Sequence, residues 1–81
     1  MASIKVINKA EMAAKGESIY ATLKEKLEKE HRGKFVAIEV DSGDYFLGRT
    51  LQEADKKARQ KYPDRVFYVI RIGRRAVWVR R

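Results

Sequence analysis

Cysteine is absent from this 81-residue chain, and proline and histidine occur once each, at Pro63 and His31. Without cysteine there is no disulfide framework and no thiolate zinc site, which suits a reducing cytoplasm. A lone histidine lacks the partners that metal binding and acid–base chemistry need, so His31 is expected at the surface. Serine is also sparse, and no glycine-rich phosphate loop occurs. General acid–base and nucleophilic catalysis both need a positioned group with a supporting partner, and the chain is therefore read as a non-enzyme. No cofactor, no metal and no small-molecule substrate is expected. No stretch approaches the roughly 18 apolar residues of a membrane span. The opening MASIKVINKAEM also lacks the basic region and apolar run of a signal peptide. A soluble, cytoplasmic protein without a membrane role follows.

What is present is enough for a fold. Apolar residues make up 44% and charged residues 37%, the balance of a folded, highly soluble chain. Residues 1–81 are read as one small domain, and a domain of this size buries only about 60% of its unfolded surface. The net charge of +8 is uneven. Residues 1–41 carry 8 basic and 7 acidic side chains, and residues 42–81 carry 11 and 4. The basic half is suited to phosphates, anionic lipid heads or acidic proteins.

Two helices are marked at their starts. Asn8 and Glu11 have capping-box spacing, with Ile7 and Met12 placed as a hydrophobic staple. Met12, Gly16, Ile19, Tyr20, Leu23 and Leu27 then recur at helical spacing, and Gly33 marks the end. Thr50 and Glu53 open a second helix over Leu51 to Lys61, which Pro63 closes by disfavouring helical geometry at Tyr62. Its apolar stripe, Leu51, Ala54, Ala58 and Tyr62, is narrow, with Lys56, Lys57, Arg59 and Lys61 set against Asp55 on the exposed side.

Between the helices, Val36, Ile38 and Val40 alternate with Phe35, Ala37 and Glu39, the period of a strand. A turn at Asp41-Ser42-Gly43-Asp44 returns the chain as Tyr45 to Gly48. With Ser42-Gly43 as the loop, Val40 faces Tyr45 and Ile38 faces Leu47. Asp41 and Asp44 supply too few oxygens for a calcium site and are read as turn residues.

The last stretch, Arg65 to Arg81, holds six arginines and no acid among β-formers and aromatics. It reads as a closing hairpin with a two-residue turn at Gly73-Arg74. Tyr68, Ile70, Ile72, Val77 and Val79 then share one face, and Phe67, Val69, Arg71, Ala76, Trp78 and Arg80 the other. The expected architecture is α+β, in the order α-β-β-α-β-β, with a mostly antiparallel four-stranded sheet packed with two helices.

Gly33-Lys34-Phe35-Val36-Ala37-Ile38, then Gly48, Thr50-Leu51-Gln52-Glu53-Ala54, Tyr62-Pro63-Asp64 and the strand Val66 to Ile72 resemble a family of small uncharacterised prokaryotic domains. The resemblance covers roughly residues 32 to 72. It implies a shared order of folding elements and no assigned activity.

The sequence thus points to a small binding protein whose working surface comprises Phe67, Arg71, Arg74, Arg75, Trp78, Arg80 and Arg81. Aromatics mixed with arginine have the composition of an interface centre, so the first expectation is a protein partner or a homo-oligomer. The alternative is single-stranded RNA or DNA, with the arginines neutralising phosphates and Phe67 or Trp78 offering a stacking platform.

Overall fold

The computed structural model describes residues 9–73 and, as backbone alone, 77–80. Its elements are α1 (Lys9–His31), β1 (Phe35–Glu39), β2 (Tyr45–Gly48), α2 (Leu51–Lys61), β3 (Phe67–Arg71) and β4 (Val77–Arg80). All strand pairs are antiparallel. Three strands in the order β2-β1-β3 carry the described side chains of the sheet, and the β4 backbone runs beside β3 at the far edge. The class is α+β, two helices on an antiparallel sheet, as expected. The capping residues Ile7 and Asn8 lie outside the described residues.

The second helix begins where its capping residue directs. Thr50 is extended, with φ −128 and ψ 162, and its hydroxyl accepts a hydrogen bond from Glu53 N at 3.1 Å. The Glu53 carboxylate reaches back to the Arg49 amide at 3.2 Å, so the reciprocal half of the box falls one residue earlier than the usual pattern. At the other end Tyr62 N donates to Ala58 O at 2.9 Å, and Pro63 follows.

Strand alternation gives the sheet two apolar faces, and the helices divide them. Val36, Ile38, Val40, Tyr68, Ile70 and Ile72 form one buried cluster with Tyr20 and Leu27 of α1. Ala37, Phe67 and Val69 form the other with Ala54 and Ala58 of α2. The two alanines let α2 come close to the sheet. A Cβ placed on Gly48 would fall inside 3.0 Å of the Ala54 backbone nitrogen and Cα. A narrow stripe therefore covers more than its own size suggests, because the helix backbone itself approaches the strands. The helices are also offset sideways: α2 lies over β2, β1 and β3, whereas α1 lies over β3, β1 and β4.

Three expectations are corrected. In the first hairpin Ile38 pairs with Tyr45 and Val36 with Leu47, a slide of two residues from the expected register. The loop is longer than two residues because Glu39 organises it. The Glu39 carbonyl accepts from Gly43 N at 2.8 Å, and its buried carboxylate accepts from Asp41 N at 3.0 Å and Ser42 N at 2.9 Å. Gly43 closes this turn at φ 81, a conformation glycine adopts without strain. A slide of two leaves every side chain on its expected face.

Asp55, assigned to the exposed side of α2, is buried at 9% exposure. Arg59, one turn on, donates from Nε to Asp55 Oδ2 at 3.0 Å and holds it against the sheet. His31 is half-buried rather than a plain surface residue, with Nε2 3.9 Å from the Glu30 carboxylate.

Candidate functional site

The end of α1 and the end of β3 are joined by a bulge. Gly33 lies at φ 90, in the left-handed region that favours glycine, and terminates the helix. Its amide donates to Ile72 O at 2.9 Å, while Ile72 N donates to Lys34 O at 2.8 Å. Two residues, Gly33 and Lys34, thus oppose the single residue Ile72, the pattern of a glycine-type β-bulge. One glycine both stops the helix and seats its last turn against the sheet.

That junction collects cations. Arg32 and Lys34 flank Gly33 and are exposed, and Arg71 stands at the end of β3, also exposed. The Arg32 side chain crosses Gly73, where an added Cβ would meet Arg32 Cγ at 3.0 Å. Arg71 is held from two sides. Its Nε donates to Gly33 O at 3.4 Å, and its guanidinium carbon lies 5.7 Å from the centre of the Phe35 ring. Phe35 and Arg71 are register partners on β1 and β3, so the contact is a cross-strand pair at the end of the sheet. The bond uses Nε alone, and the terminal nitrogens of Arg71 carry its other N–H donors.

The acids nearby are few. Glu28 lies 3.6 Å from Arg32 Nη2 and accepts from the Tyr20 hydroxyl at 3.4 Å. Burial raises the Tyr20 hydroxyl above its ordinary pKa, and the Glu28 charge pushes the same way. The C-terminus of α1 adds a partial negative charge that favours cations at this place. Attraction of an anion therefore rests on the side chains themselves.

The opposite end of the sheet is chemically different, because its charges are matched. Arg65 Nη1 lies 3.2 Å from Asp41 Oδ2 and 3.6 Å from Glu39 Oε1. Asp44 Oδ2 accepts from the Tyr62 hydroxyl and from Lys61 Nζ at 3.1 Å. These two hydrogen bonds, the tyrosine's first, hold the Asp44 carboxyl below its ordinary range, and the same carboxylate raises Lys61. The basic face of α2 is similarly engaged, since Lys57 Nζ donates to Leu47 O at 2.9 Å. Among the described residues no cluster of three or more histidine, aspartate or glutamate side chains could hold a metal ion. None of their helices is long and apolar enough to cross a membrane.

Of the residues expected to form the working surface, Arg71 is at the basic end. Phe67 is not available to a partner: it has 0% exposure, lies in the α2 cluster, and has the Arg59 guanidinium carbon 5.6 Å from its ring centre. The narrow apolar stripe of α2 covers it. Trp78 and Arg80 pair through their backbones with Val69 and Phe67, and their side chains lie outside the described residues. Arg74, Arg75 and Arg81 also lie outside them. Sequence reasoning missed Arg32, Lys34 and Phe35. The available signal was the Arg-Gly-Lys-Phe run itself, a helix-ending glycine with a cation on each side, directly before a strand.

Searches of curated proteins and of solved structures find no match. Residues 26–72 match the model of a family of unknown function, DUF5678. That span runs from the last turns of α1 through β3, and the chain belongs to this family.

Proposed function

We propose that this domain is a non-catalytic binding module whose working surface is its basic end, and that its partner is an anionic macromolecule. The observation that carries the reading is Arg71, exposed yet positioned by the Gly33 carbonyl and the Phe35 ring, beside exposed Arg32 and Lys34. A guanidinium already held in place loses less freedom on binding than a free side chain. The five arginines from 71 to 81 add charge of the same sign to this half of the chain. Self-association is disfavoured in this reading, since a second copy would set like charges against each other. The absence of cysteine suits the reducing cytoplasm, where we place it.

The test is equilibrium binding of the purified chain to polyglutamate and to a single-stranded oligonucleotide, at low and high salt. Binding to at least one polyanion is expected at low salt and should weaken as salt rises. The double charge reversal Lys34→Glu, Arg71→Glu should abolish it while the circular dichroism spectrum is unchanged. Absence of binding to either polymer, or binding indifferent to the reversal, contradicts the proposal.

A further inference from the structure

We infer that Lys57 guards the open edge of the sheet, and that without it β2 pairs antiparallel with β2 of a second copy of this chain. β2 stands first in the strand order, with β1 as its neighbour. Glu39 N donates to Asp44 O at 2.8 Å, and the same register carries the ladder on to Phe46 and Gly48. Antiparallel alternation therefore turns the peptide groups of Tyr45 and Leu47 outward, away from β1. An outward row of donors and acceptors is a template for another strand. The side chains of Tyr45 and Leu47 are half-buried and border the α1 cluster, yet α1 itself does not extend over β2.

One stripe of α2 follows this edge. The Glu53 carboxylate accepts from the Arg49 amide at 3.2 Å, Lys57 Nζ donates to Leu47 O at 2.9 Å, and Lys61 Nζ donates to Asp44 Oδ2 at 3.1 Å. The repeats match, because four helical residues rise about 6 Å and two strand residues about 6.6 Å. Lys57 is the central member, and it fills a ladder acceptor that a pairing strand would need, a use of lysine suited to strand edges. The occupant is a second copy because the edge complements itself. With Phe46 across from its own image, Tyr45 of each chain faces Leu47 of the other, and half of the new ladder bonds end on the Leu47 carbonyls. The two α2 stripes then run antiparallel, which sets Glu53 toward the copy's Lys61 and the two Lys57 side chains toward each other. Lys57 thus opposes pairing twice, by occupying the acceptor and by bringing like charges to the two-fold axis. The basic ends lie at opposite ends of such a dimer, which does not bring them together.

The test is sedimentation velocity over a concentration series, with amide hydrogen exchange on the same samples. The parent should sediment as a monomer, and so should Lys56→Ala, which alters an exposed lysine of α2 beside the guard. Lys57→Ala should form dimers at concentrations where both are monomeric, with the Tyr45 and Leu47 amides exchanging more slowly than in the parent. Lys57→Arg, which keeps a cation with N–H donors, should remain a monomer. Lys57→Ala that stays monomeric throughout overturns the inference, as does a dimer in which those two amides exchange as in the parent. Equal dimerisation by the parent or by Lys56→Ala would show that Lys57 does not guard the edge, and overturns it too.

Discussion

Gly16 of α1 rests directly on Tyr68 of β3: a Cβ on Gly16 would fall inside 3.0 Å of the Tyr68 Cβ, Cγ and Cδ1. Those atoms are the root of the ring, which cannot swing aside as the tip of a flexible chain can. Gly16→Ala should therefore destabilise the fold by about 1–3 kcal/mol through overpacking. The gain in helix propensity, about 1 kcal/mol, works against this and is too small to reverse it. Urea denaturation of the two proteins gives the difference.

Phe67 separates a structural role from a binding role. Fully buried under α2, it should cost about 3–5 kcal/mol on replacement by alanine. That is a large share of the stability of a small domain, typically about 5–15 kcal/mol. Phe67→Leu, milder in volume, should stay folded with a lower thermal midpoint and bind any polyanion as the parent does. A selective loss of binding in the folded Phe67→Leu protein would return this residue to the surface.

Glu39 should be the sensitive member of the loop lock. Its carboxylate, at 0% exposure, accepts from the Asp41 and Ser42 amides and lies 3.6 Å from Arg65 Nη1. Glu39→Ala leaves two amide donors and a guanidinium without that acceptor and should cost about 2–3 kcal/mol. Arg65→Ala should cost less, about 1 kcal/mol, because Arg65 is half-exposed and solvent replaces its contacts. Chemical denaturation of both variants checks the order.

The pH dependence has two limbs. Asp44 has its folded pKa depressed below the ordinary 3.8, chiefly by the Tyr62 hydroxyl and then by Lys61. Its contribution is present above the unfolded value and is lost as pH falls through the lower folded one. Tyr62→Phe removes the largest single cause and should shrink this acid limb. Burial raises Tyr20 and Tyr68 above 10.0, and the Asp44 contact raises Lys61 above 10.5. Their contributions are complete below those values and are lost as pH rises through the folded ones. Thermal midpoints measured from about pH 2 to 12 should show both losses.

The parts of the fold legible in the sequence were those set by local chemistry. Thr50 and Pro63 bracket α2 because a cap and a missing amide act within one turn, and Gly33 ends α1 for a similarly local reason. The parity of Val36, Ile38 and Val40 likewise follows from strand geometry alone. The slide of the first hairpin escaped because the Glu39 carboxylate read as one more alternating side chain. Its role as the acceptor that widens the turn appears only in three dimensions. The burial of Phe67 escaped because the residue pattern does not state which face α2 takes, nor how closely Ala54 and Ala58 let it approach. For the candidate site, Arg71 was legible, whereas Arg32, Lys34 and Phe35 depend on the Gly33–Ile72 bulge that brings distant segments together.

The most direct test of the proposed basic end as a polyanion-binding surface is an amide proton–nitrogen NMR titration with polyglutamate and with a single-stranded oligonucleotide at low salt. The account predicts that the largest shifts fall on Arg32, Lys34, Phe35, Arg71 and Gly73, with residues 39–44 and the exposed face of α2 unmoved. Shifts centred on the 39–44 loop or on α2, or none at all, would contradict it.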